Sequence, residues 1–134
     1  MLNVVIALVL LAHGIGHSMG LIQVFDIATV NPAWHGDSWA LTGLAGQGLA
    51  QAVGVVLWTL SIIGFTAAAA VVVGWLPEAW WAPLAVGSSI VSLAALLLFP
   101  MAFPTFSTFG ALVVDVVVLA SVLWLHWTPS DLTA

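Results

Sequence analysis

The sequence predicts an all-α integral membrane protein, a four-helix up-and-down bundle, and three observations predict it. Of 134 residues 63% are hydrophobic, about enough for four spans of roughly 20 apolar residues each. Five residues are acidic and none is lysine or arginine, so 4% are charged, against about 25% in a soluble domain. Four apolar runs alternate with stretches that carry proline, glycine or tryptophan. In lipid every backbone polar group needs a partner within the segment, so such runs become helices packed as one bundle.

The same composition excludes whole classes of function. Nucleic-acid binding rests on lysine and arginine neutralising phosphates, and a polybasic lipid anchor needs the same side chains. Cysteine is absent, which removes disulfides, thiolate metal sites and a cysteine nucleophile.

The spans follow in order along a single transmembrane domain, 1–134. The first reads from 2 to 23 and lacks the basic leader region of a cleaved signal peptide. A mixed loop, 24–47, carries Asn31-Pro32, Trp34-His35-Gly36-Asp37 and Trp39. The second span runs from 48 to 76 and is closed by Pro77-Glu78, with Trp80, Trp81 and Pro83 beyond. The third reads from 84 to 103, where Pro100 and Pro104 mark its end, and the fourth from 109 to 127, before Pro129. An even number of spans puts both ends of the chain on one side. Trp75, Trp80, Trp81, Trp124 and Trp127 gather there, with Trp34 and Trp39 opposite, as two aromatic belts. Orientation is not legible, because the positive-inside rule has no charges to count.

Helical periodicity then sorts the polar residues. His13, Gly16, His17 and Gly20 share one stripe of the first span, and its glycines suit close approach of a neighbouring helix. In the second span Gln51, Gly54, Trp58 and Phe65 align, and in the third Ser88, Ser92 and Phe99. Asp115 stands in the valine run 113–118 of the fourth. Counted from the loop side, His17 and Asp115 lie at similar depth and His13 about one turn deeper. The expectation is a polar cluster of His13, His17, Asp115 and Gln51, with Trp58 and Ser92 also in the polar bundle interior. His35 belongs to the loop, and His126, about 16 Å along the helix from Asp115, to the opposite boundary.

An acid inside the bilayer faces inward and finds a partner. Asp115 therefore reads as a proton relay, a cation or metal ligand, or a hydrogen-bond partner of His13 or His17 that fixes helix order. Two histidines at i and i+4 present both imidazoles on one face, the spacing by which a helix supplies two metal ligands. Here the run is His-Gly-Ile-Gly-His, without the metalloprotease glutamate. With Asp115 the set would be two histidines and one carboxylate, a ligand set of non-haem iron, and copper or zinc would also be accepted. Haem is disfavoured, since no further histidine lies at matching depth. Structural packing of these groups stays open beside the metal reading. Ser88, Ser89 and Ser92 read as ordinary small residues of helix interfaces, and Gly43, Gly46 and Gly48 lack the context of a phosphate loop.

Ala12-His13-Gly14-Ile15-Gly16-His17, followed by Gly20, resembles the opening of a family of small four-helix prokaryotic membrane proteins. Trp58, the pair Trp80-Trp81 and Thr108-Phe109-Gly110 extend the resemblance over most of the chain. It implies the fold and a prokaryotic cell membrane, and no activity. A looser similarity is to DoxX-like four-helix proteins, some of which accompany quinone-linked oxidoreductases; no residue is carried over from them. Such families keep some basic loop residues. Their absence here points to a partner that fixes the orientation.

The leading functional expectation is an accessory or structural subunit of a membrane complex, or a homo-oligomer, with the lipid bilayer and other membrane subunits as partners. Two alternatives stand beside it. One is a membrane metal or redox site formed by His13, His17 and Asp115. The other is a small proton-coupled transporter with Asp115 as the carrier, which the lack of any evident discontinuous helix disfavours.

Overall fold

The computed structural model describes residues 1–132 and is all-helical, with no strand among the described residues. Six helices form: α1 (Leu2–Gly16), α2 (Ser18–Val24), α3 (Leu41–Ala45), α4 (Gln47–Val72), α5 (Trp81–Leu98) and α6 (Thr105–Leu123). Four stretches are long and apolar enough to cross a membrane: Leu2–Val24, Gln47–Val72, Glu78–Leu98 and Thr105–Leu123.

Helix ends depart from the expected ones for identifiable reasons. α4 stops at Val72, not 76, because Gly74 (φ 81°) terminates it. Its N–H bonds the Val71 carbonyl at 2.9 Å and the Trp75 N–H bonds Ala70 at 2.8 Å, the paired bonds of a left-handed helix terminus. α5 begins at Trp81, directly after a tight turn at Glu78–Trp80, and takes Pro83 into its first turn, where no amide hydrogen is needed. It ends at Leu98, so 99–104 connects two helices and does not extend the third span. Pro104 lies just before α6 and starts it at Thr105, four residues before the expected 109.

The first span is not one helix. His17 joins α1 to α2, and the bonds around it close three residues back: His17 N–H to Gly14 O at 3.1 Å and Gly20 N–H to His17 O at 3.2 Å. Across this short tightening Leu2–Val24 remains one stretch long and apolar enough to cross a membrane, close to the expected 2–23. Neither proline nor a positive φ marks the tightening in the sequence.

α1 packs on α4, α4 on α5 and α5 on α6, whereas α1 and α6 share no comparable seam. Close approach is set by particular glycines. A Cβ on Gly14 would stand 2.9 Å from the Cβ of Phe65, and one on Gly20 would stand 2.6 Å from the Trp58 ring. Gly16, expected to serve the same purpose, has nothing within 4 Å. Two apolar cores result, one around Leu10, Phe65, Val72 and Trp81, the other around Trp58, Phe99 and Phe103.

The loop after α2 folds back across one end of the bundle. Trp34, expected in an aromatic belt, is instead buried, its ring 5.8 Å from that of Trp58. Gln23 holds the loop by both ends of its amide, donating to the carbonyls of Asn31 and Trp34 and accepting from the N–H groups of Val30 and Asn31. The last carbonyls of α5 lack helical partners, and the loop supplies two. The Ser38 hydroxyl donates to Leu98 O at 2.7 Å and the Trp39 indole to Leu97 O at 2.6 Å. Gln51 belongs to this end as well, its amide lying against Gly36.

Candidate functional site

Inside the bundle four polar side chains from three helices form one hydrogen-bonded chain. Asp115 of α6 is fully buried, and its Oδ1 lies 2.9 Å from Nε2 of His13 in α1. Its Oδ2 accepts from the Ser92 hydroxyl of α5 at 2.6 Å. Ser92 Oγ in turn lies 2.9 Å from Nε2 of His17. A longer contact of 3.4 Å joins Ser92 to His13. The helix stripes explain the convergence: residues four apart on α1 face the same way even across the tightened turn, and the two imidazoles stand edge to face at 5.3 Å.

Proton positions follow from the chemistry of each group. With Asp115 as the carboxylate it only accepts, and His13 then donates through Nε2–H. The hydroxyl of Ser92 has one hydrogen, which it gives to Asp115, so it must accept from Nε2–H of His17. In the neutral rings both Nδ1 atoms are then bare lone pairs. No described residue bonds either of them, and that of His17 is buried. Asp115 has two donors and the chain is satisfied as far as His17 Nδ1.

Of the expected cluster, His13, His17 and Asp115 come together and Ser92 joins them at the centre. Gln51 does not: it lies with the loop. Trp58 is fully buried among Trp34, Phe99 and Phe103, with its indole N–H unpartnered, and is not a member of the chain. Among the described residues no three His, Asp or Glu side chains form a group able to hold a metal ion. The Ser92 hydroxyl stands between Asp115 and His17, and Asp115 is already bonded to His13.

The weak seam between α1 and α6 leaves a groove beside this chain, in two consecutive compartments that share Val9 and Val114. One, a chamber of about 380 Å³, is walled by His13, His17, Phe103 and Phe106. Gly16 and Gly110 also line it, and a Cβ on either would meet nothing within 4 Å, so these two glycines give the chamber its width. The other is a mostly apolar channel of about 660 Å³ between Val5 and Leu10 on one side and Val113, Val117 and Val118 on the other, with Ser121 and Asp131 also in its wall. Trp81 and Trp127 close its far end, the Trp81 indole donating to Trp127 O at 3.0 Å. Val5, Val9, Val113 and Val117 are exposed along the rims, so the groove opens sideways on the bundle. Asp115 and Ser92 lie behind the imidazoles, and only the rings reach the chamber wall. No family model, curated protein or solved structure matches this chain.

Proposed function

We propose that the four long helices span a membrane and that the protein binds an amphiphile dissolved in that membrane, taken up sideways between α1 and α6. The observation that carries this reading is the groove itself: mostly apolar, with Ser121 and Asp131 in its wider part, open on the face that lipid would cover, and ending at two hydrogen-bonded histidines. Both compartments are of the size of small-molecule sites, about 300–1,000 Å³, with few polar groups in an apolar wall. An intramembrane carboxylate bonded to imidazole is expensive to insert and marks a functional centre by default. The tail of the ligand would lie along the valines, and its head against His13 and His17.

The test is photolabelling in lipid vesicles with hexadecanol carrying a diazirine in its tail, followed by mapping of the labelled peptides. Binding in the groove concentrates label on the lining residues of α1 and α6, and Gly16→Leu or Gly110→Leu abolishes that concentration. Label spread evenly over the exposed faces of α4 and α5 would overturn the reading.

A second reading keeps the chain as an accessory subunit or homo-oligomer, and the loosely closed seam favours it too, since a helix of another subunit could seat there. Blue-native electrophoresis of gently solubilised membranes separates the two. A stable larger assembly, with the groove protected from the photolabel, supports the subunit; a lone monomer labelled in the groove supports the ligand site.

A further inference from the structure

We infer that the head group of this ligand is a neutral hydroxyl that donates its hydrogen to imidazole, so that the site selects alcohols or phenols over ethers, esters and carboxylates. The inference rests on the groove reading and deepens it.

The argument starts at Asp115. Its carboxylate consumes the hydrogens of Ser92 and of His13 Nε2, and Ser92 consumes that of His17 Nε2. Every hydrogen in the chain therefore points inward, toward Asp115. What both rings keep outside the chain is acceptor capacity at Nδ1. His17 is 2% exposed and its Nδ1 has no partner. A buried polar atom left unsatisfied costs roughly 1–3 kcal/mol; Nδ1 of His17 has no accessible surface in the resting structure, so a head group that donates to it must first turn the ring toward the chamber. A second N–H on His17 would find no acceptor among the described residues.

Three further features narrow the head. A carboxylate has no hydrogen to give and would bring a second negative charge to within two hydrogen bonds of Asp115. Ethers and ester carbonyls also only accept, so against bare nitrogens they gain nothing. Ser107, whose side chain lines the chamber from α6 and makes no hydrogen bond, offers the complementary partner for the oxygen of a hydroxyl, which both donates and accepts.

The experiment is competition against the diazirine alcohol, using three probes on one skeleton: 4-dodecylphenol, its methyl ether and 4-dodecylbenzoate. The phenol should displace the label from the α1 and α6 peptides at about one tenth the concentration the ether needs, the effect of one hydrogen bond, and the benzoate should be no better than the ether. His17→Phe should erase the difference between phenol and ether. Should that variant fail to fold, the comparison among probes on the unaltered protein decides alone. Equal displacement by phenol and ether overturns the hydroxyl inference while leaving the groove occupied. Absence of label in the groove overturns the groove reading first.

Discussion

His13 and Asp115 are hydrogen bonded at 2.9 Å across a seam that their two helices otherwise leave open. One contact thus joins the first long helix to the last, and it lies on the wall of the groove. Removing the carboxylate strands two buried donors, on His13 and Ser92. Asp115→Ala is expected to cost about 2–6 kcal/mol, from about 1–3 kcal/mol for each buried donor left unpaired, and Asp115→Asn less, since its amide oxygen still accepts. Thermal unfolding in mild detergent measures both. Equal stability of Asp115→Ala and the parent protein would contradict this geometry.

Ser92 carries the chain from Asp115 to His17, and Ser92→Ala should interrupt it without opening the bundle. The Nε2 hydrogen of His17 then loses its acceptor, and the ring no longer has a reason to prefer one tautomer. Nitrogen-15 spectra of labelled imidazole should show His17 as the Nε2–H form in the parent and as a mixture in Ser92→Ala. A parent spectrum dominated by the Nδ1–H form would reverse the donor order assigned to the chain.

Glycines of α1, α2 and α6 should respond in opposite ways. Gly20→Ala drives a methyl into the Trp58 ring and Gly14→Ala into Phe65, and overpacking of this kind costs about 1–3 kcal/mol. Gly16→Leu and Gly110→Leu meet open space and should leave stability within about 0.5 kcal/mol of the parent. Unfolding curves of the four variants, compared side by side, check the ordering.

The loop clamp rests on one amide. In Gln23→Glu the acceptor half is kept, but the carbonyls of Asn31 and Trp34 lose their donor. Amide exchange over residues 26–46 should accelerate, while that of α4 and α5 stays slow. Uniform acceleration across the whole chain would mean that the loop is not a separately opening unit.

Much of this arrangement is legible in the sequence. Apolar runs and their proline punctuation give the four long helices; periodicity with depth puts His17 near the level of Asp115 and His13 about one turn deeper, whereas Asp115 bonds His13 directly and reaches His17 through Ser92. Ser92 is legible as an inward-facing residue but not as the link, because a serine in an apolar helix reads the same whether it packs or relays. Gln51 shares the inner stripe of α4 yet ends under the loop, since periodicity cannot show that Gly36 will fold back onto it. Gly16 and Gly14 look alike on paper. Which of them touches a helix and which borders a cavity depends on the crossing of α1 with α4, and hence on Phe65 and Trp58. The tightened turn at His17 lacks proline and any positive φ, so nothing local announces it.

The 102 positions between His13 and Asp115 also set a timetable for synthesis. Ser92, and with it any bond for His17, emerges only with the third long helix, and the acceptor for His13 only with the fourth. The loop waits too, because Leu97 and Leu98 must be made before Ser38 and Trp39 can fasten to them. Throughout that interval two imidazoles and an unfastened loop lack these partners. A nascent chain arrested before Asp115 would carry every residue that lines the smaller chamber but not the carboxylate that orients His13.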